Sequence, residues 1–258
     1  GALGVFVQGR AHSLADRVEE YAFARVLTYA DEEGRRIYER SLQFLFLTAA
    51  HRLWPDTRVR IEHSFGQGLY IAVRGVEMNG EAIAALEREM RALAEADLPL
   101  KRRVVSTKEA EAYFARIGQE DRLRILHFRS FDHYTLYEID GLEDYFYGEM
   151  VPSTGLLTVF GLIPYAGGVV LMGPDARNPK RVAAFRDLPK LMRTYEESAR
   201  WQEILDCQNA ADLNDMVLSH RLREFIRVSE ALQEQKIGRI AEQFIESGAR
   251  VMLIAGPS

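Results

Sequence analysis

A histidine and a carboxylate facing one cleft can move protons or hold a ligand, and His51 and Asp144 are the pair the sequence offers. His51 lies on a stripe with Phe44, Leu47 and Trp54 at helical spacing. That stripe equally suits a histidine satisfied inside a core. Asp144 either pairs with His51 across a cleft or is a turn residue close to Asp140-Gly141. His127 and His133 flank Asp132, which would begin a metal site; without a third ligand at a defined spacing, a solvated loop is the simpler reading. The run Tyr145-Phe146-Tyr147 stands beside Gly148. Together with Tyr70 and Tyr165 it could line a pocket that stacks a base, or it could pack the loop in the ordinary way.

A second chemistry is suggested at the other end. Val251-Met252-Leu253-Ile254-Ala255 reads as a buried strand running into Gly256-Pro257-Ser258. A strand entering glycine is how a phosphate loop starts. In the full motif, glycine backbone N–H groups wrap the phosphates, a lysine neutralises them and a hydroxyl holds magnesium. Only the first glycine is present, so Gly256, Pro257 and Ser258 are expected to be the opening of a nucleotide site that the chain itself does not complete.

These residues need elements to position them. Pro55 ends a helix expected over 33–54, whose second half is apolar nearly all round and therefore buried. Residues 58–62 and 69–73 read as strands of a hairpin around Ser64-Phe65-Gly66-Gln67-Gly68. An amphipathic helix over 81–96 presents Ile83, Leu86, Met90 and Leu93 on one face. Short strands follow at 103–105, 125–128, 135–139, 156–162 and 168–172, with a helix starting at Thr107. From about 183 to 246 the pattern is helical almost throughout. Hairpins mixed with helices, without a steady strand–helix–strand rhythm, predict an α+β architecture.

Composition sets outer limits. Net charge is −5 over 258 residues, so no global basic field draws the chain to nucleic acid. Lys101-Arg102-Arg103 and the region of Arg122, Arg124 and Arg129 are the local exceptions. The lone Cys207 forms no internal disulfide or cysteine zinc motif, no apolar run nears the length of a membrane span, and the N-terminus lacks a signal-peptide pattern. A cytoplasmic protein without membrane contact is expected.

Four ordered blocks carry a family resemblance. Residues 47–53 (LTAAHRL), 65–70 (FGQGLY), 144–155 (DYFYGEMVPSTG) and 164–168 (PYAGG) are similar, in order and spacing, to the second additional domain of threonyl-tRNA synthetase, which edits mischarged tRNA. The resemblance implies an antiparallel sheet with helices over 32–180, preceded at 1–31 by part of a TGS-type β-rich unit and followed by a helical linker over 181–248. The family's editing site uses an H-x-x-x-H helix and a loop cysteine and histidine. Here those positions read Leu47, His51, Phe146 and Met150, with only His51 and the neighbouring Asp144 kept. Editing chemistry and a metal are therefore expected to be lost. The remodelled cleft of His51, Asp144, Phe146, Tyr147, Met150, Tyr70, Gly68 and Tyr165 is where a ligand would be sought.

Residues 246–258 resemble the entry to the kinase domain of bacterial uridine-kinase-like and phosphoribulokinase-like proteins, with 249–258 as its first strand. On that resemblance the chain is expected to be the non-catalytic front region of a nucleoside kinase. Its partners would be its own C-terminal kinase domain and copies of itself in a homo-oligomer, with nucleic acid disfavoured. It would carry no cofactor, while the parent enzyme would use ATP and magnesium. The alternative is an RNA- or tRNA-binding module descended from the synthetase editing domain.

Overall fold

The computed structural model describes residues 1–17, 23–128 and 132–256. In chain order the elements are β1 (Gly4–Val7), β2 (Arg10–His12), β3 (Ala24–Leu27), α1 (Glu32–Leu53), β4 (Arg58–Phe65), β5 (Gly68–Arg74), α2 (Gly80–Glu95), β6 (Lys101–Ser106), α3 (Thr107–Arg116), α4 (Glu120–His127), β7 (His133–Ile139), β8 (Leu142–Tyr145), a 3-10 turn (Thr154–Leu156), β9 (Gly161–Tyr165), β10 (Gly168–Met172), α5 (Pro189–Ile204), α6 (Ala210–Leu218) and α7 (Leu222–Glu246). All strand pairings among the described residues are antiparallel, so the α+β expectation holds. The chain divides into two units, Gly1–Thr107 with Asp132–Leu188, and Lys108–Phe131 with Pro189–Ser258.

The described residues of the first unit form three sheets, ordered β2-β1-β3, β4-β5-β10-β9 and β6-β7-β8. Its centre is α1. Asp31 sets the entry by accepting from the Thr28 backbone N–H and hydroxyl. Glu32 and Glu33 sit in the first turn and Arg52 in the last, as the helix dipole favours. Gly34 is required where it stands, because a Cβ there would lie 1.9 Å from the Thr28 carbonyl oxygen. Phe44, Leu45, Phe46, Ala49 and Ala50 are fully buried and join Ile71, Val169, Leu86 and Met90 in one core. Leu3, Leu27 and Tyr29 belong to that same core, with the Tyr29 ring edge-on to Tyr38 at 5.4 Å. The small β1–β3 sheet thus gains its apolar partners from α1 instead of from itself.

Turn chemistry closes the hairpins. Asp140 and Gly141 both take positive φ, the left-handed pair that a tight β7–β8 turn needs. Asn79 caps α2, accepting from the Glu81 and Ala82 N–H groups.

The second unit is helical. The Arg124 guanidinium joins α4 to α6, reaching Asp212 at 2.9 Å and also Asp215. Asn209 and Asp212 form a capping box at the start of α6. Burial raises the Asp212 carboxyl, but the backbone N–H of Gln208, Arg124 and the backbone N–H of Asn209 outweigh it, and the carboxyl ends below its ordinary range. Lys236 of α7 pairs with Glu197 of α5 and lies over the Trp201 ring at 5.6 Å.

Three expectations are corrected. Residues 125–128 are not a strand: the short apolar run continues the polar turns from Glu120 and closes α4. Residues 156–162 do not form one strand either. Thr154–Leu156 makes a 3-10 turn, and pairing with β10 starts only at Gly161. The helical stretch is interrupted into α5, α6 and α7, with positive φ at Asp206 and His220 marking the breaks.

Candidate functional site

The loop after β8 is held from three sides. From α1, Ser41 Oγ accepts from the Val151 N–H at 3.0 Å, and Arg40 donates to the Glu149 carbonyl. From β7, the Tyr137 hydroxyl donates to the Gly148 carbonyl at 3.0 Å. From the end of α2, Thr154 donates its hydroxyl to the Leu93 carbonyl at 2.6 Å and accepts from the Leu98 N–H at 2.8 Å. The side chains of Thr154 and Ser41 are fully buried. Burial pushes the Tyr137 phenol well above its ordinary value, and Glu149 adds to the effect. Burial pushes the Arg40 guanidinium down.

Within this frame Phe146 lies 5.1 Å from the Phe44 ring and Met150 is buried. Asp144 is buried on β8, where its Oδ1 accepts from the Tyr145 N–H at 2.7 Å. His51 is exposed in the last turn of α1. Neither a hydrogen bond nor an ion pair holds its ring among the described residues, so the two groups expected to face each other are not joined. The reason lies in the helix: Ala49 and Ala50 carry the buried face at this end, leaving position 51 to solvent. No three His, Cys, Asp or Glu side chains among the described residues are grouped to hold a metal ion.

The aromatic candidates form two clusters. Tyr145 lies edge-on to Tyr134 and to Tyr147, the last 61% exposed. At the β4–β5 hairpin, Tyr70 donates to the Ala166 carbonyl and stacks on His63 at 5.3 Å, while Tyr165 contacts Phe65 at 4.8 Å and bonds Asp187. Gly68 has a packing role here, since a Cβ would meet Met172 Sδ at 2.5 Å.

A pocket of about 360 Å³ borders the loop. Leu100, Met150 and Val151 give it an apolar side, and Asp16, Arg102 and Tyr137 a polar one. Arg102 spans it, reaching Asp16 at 2.6 Å and Glu149 at 2.8 Å. Of the residues singled out for the cleft, Met150 alone lines this pocket. Sequence reasoning missed Arg102 as a bridge because its partners lie 86 and 47 residues away.

The basic run of β6 is neutralised. Lys101 pairs with Glu138 at 3.0 Å and Arg103 with Glu143 at 2.8 Å, both across the β7–β8 sheet. In the second unit Arg124 is tied to its two acids and Arg122 lies over Phe114 at 5.7 Å, while Arg129 is outside the described residues.

The chain is similar to the threonine–tRNA ligases of Burkholderia orbicola (33% identical over 168 residues) and Symbiobacterium thermophilum (30% over 171), in each case across 64% of the chain. The similarity to that of Syntrophomonas wolfei is 27% over 207 residues, or 80% of the chain. The chain spans about a quarter to a third of the length of these relatives, 26% to 31%. No protein-family profile matches it. These relatives bear out the synthetase side of the resemblance and its editing-domain-like fold.

They overturn the nucleoside-kinase reading, for the similar proteins are tRNA ligases and not kinases. The expected phosphate-loop strand is absent as well. Residues 251–256 form no strand, and Leu253 and Ile254 are 92% and 88% exposed. An apolar run becomes a strand only where an edge takes its backbone bonds, and none among the described residues pairs with it. Gly256 is exposed; Pro257 and Ser258 lie outside the described residues. No helix among the described residues is long and apolar enough to cross a membrane.

Proposed function

We propose that the chain is an RNA-binding module, related to the N-terminal part of threonyl-tRNA synthetase, that has kept the scaffold of the editing domain and lost its chemistry. The supporting observation is the fate of the cleft positions. Phe146 packs on Phe44 and Met150 is buried, where the resemblance places a cysteine and a histidine. His51 and the buried Asp144 remain, but one imidazole and one carboxylate do not assemble a base, a polarising group and a metal. The module therefore works without cofactor or metal, by holding tRNA.

The net charge of −5 does not oppose this, because phosphate binding depends on local cations, and several acids, Asp16, Glu138 and Glu143 among them, are engaged in ion pairs. The test combines a gel-shift titration with bulk tRNA at several salt concentrations, a deacylation assay on Ser-tRNA and a zinc analysis of the purified protein. Salt-sensitive binding without hydrolysis or zinc is expected. Hydrolysis above background, or no binding even at low salt, would overturn the reading.

A further inference from the structure

Arginine stands directly opposite arginine in the β4–β5 hairpin: Arg58 is the register partner of Arg74. Side chains in such a pair are about 5 Å apart at Cβ, and like charges at that distance repel. Both residues are exposed. Neither guanidinium has a hydrogen-bond or ion-pair partner among the described residues. Many other arginines of this unit's strands and helices find acids or carbonyls, as Arg40, Arg52, Arg60, Arg91, Arg102 and Arg103 do; Arg10 and Arg88 also stand without one among the described residues, but neither faces a second arginine across a ladder.

Register partners share a face, and so do every second residue of a strand. Arg58 with Arg74, Arg60 with Ala72, and His63 with Tyr70 therefore line one side of the hairpin. Its other side carries Ile71 and Val73 into the core. The Tyr70 end of the outer side is closed by its bond to Ala166, and the Arg58–Arg74 end is open. Arg60 is held by both carboxylate oxygens of Glu62, so the open cations are the outer two. His63 stacks on Tyr70 with an interplanar angle of 27° and is half-buried at that closed end.

We propose that this outer face of the β4–β5 hairpin is the RNA-binding surface, with Arg58 and Arg74 straddling a backbone phosphate. A phosphate between two guanidiniums converts the repulsion into two charge-assisted hydrogen bonds. The inference rests on the RNA-binding reading and names its surface.

The test is the tRNA titration repeated across salt for wild type, Arg58→Gln/Arg74→Gln and Lys101→Gln/Arg103→Gln. All four sites are exposed on strands, and neutral replacements leave the core untouched. The hairpin variant is expected to bind about tenfold more weakly at low salt, with the log–log salt slope shallower by roughly 0.7–0.9 for each phosphate it no longer neutralises. The β6 variant is expected to match wild type. A wild-type-like hairpin variant would overturn the surface while leaving RNA binding intact. No binding by wild type would overturn the function and the surface together. Equal effects of the hairpin variant on tRNA and on inorganic polyphosphate would reduce the site to a general anion-binding patch and overturn its assignment to RNA.

Discussion

Two antiparallel sheets of the same unit each carry a basic strand, and they treat its charges in opposite ways. On β6-β7-β8, Lys101 pairs with its register partner Glu138, Arg103 reaches past Leu136 to Glu143 on β8, and Arg102 reaches back to Asp16 and forward to Glu149. On β4-β5, Arg58 faces Arg74. Charge density along the sequence would rank β6 first, with three cations in a row. Register reverses the ranking, because the partner across the ladder decides whether a cation is spent or available. An acid opposite turns a basic strand into a structural clasp, whereas a second cation opposite leaves a charge that only an outside anion relieves.

The comparison depends on the loop that delivers Glu149 to Arg102, and the largest expected effect attacks its seating. Thr154→Val keeps the volume but removes the group that bonds both Leu93 and Leu98. Leaving two backbone groups unmatched in a buried site should cost about 2–4 kcal/mol. A Trp201→Phe background leaves Trp54 as the only tryptophan, so urea unfolding of the first unit can be followed by fluorescence. A midpoint unchanged from the parent would mean that the loop is not seated by Thr154.

A middle-sized effect should come from making the clasped sheet resemble the open one. Glu138→Gln/Glu143→Gln takes the acids from Lys101 and Arg103. Exposed pairs contribute little, so stability should fall by under about 1 kcal/mol. RNA binding should strengthen, with a salt slope steeper by about 0.7–0.9 for each cation that then finds a phosphate. Binding that stays the same would mean that availability of charge is not what separates the sheets.

How much of this was legible in the sequence follows from how local each feature is. Helix α1 was readable from its apolar second half and Pro55, and the β4–β5 hairpin from its alternation around Gly66 to Gly68. The loop with Phe146 and Met150 was readable as a resemblance. His51 was not placeable, since a boundary position on a helix turns inward or outward according to what packs beside Ala49 and Ala50. Run 125–128 was misread because four residues, three of them apolar, carry no period long enough to separate strand from helix. The terminal run misled for a related reason: its residues suit a strand, but a strand also requires an edge. Ionic partnerships were invisible at separations such as the 40 residues between Arg103 and Glu143. Arg58 and Arg74 lie 16 apart across a predicted hairpin, and counting back from its turn would have found them, but the bulge between Ile61 and His63 shifts that count by one.

That bulge gives the smallest and sharpest expectation. If Arg58 and Arg74 oppose each other as the register states, the free protein carries a small electrostatic penalty there. Arg58→Glu should then stabilise the first unit by roughly 0.2–1 kcal/mol, because it exchanges like charges for opposite ones. The gain should shrink with added salt, both groups being exposed. The same substitution should weaken tRNA binding, so stability and affinity move in opposite directions at one residue. A register one residue off would put Arg58 opposite Val73 or Gly75, and the substitution would then leave stability alone. A loss of both stability and binding would instead mean that Arg58 is held by a partner in the protein, which would return β4 to the same clasped condition as β6.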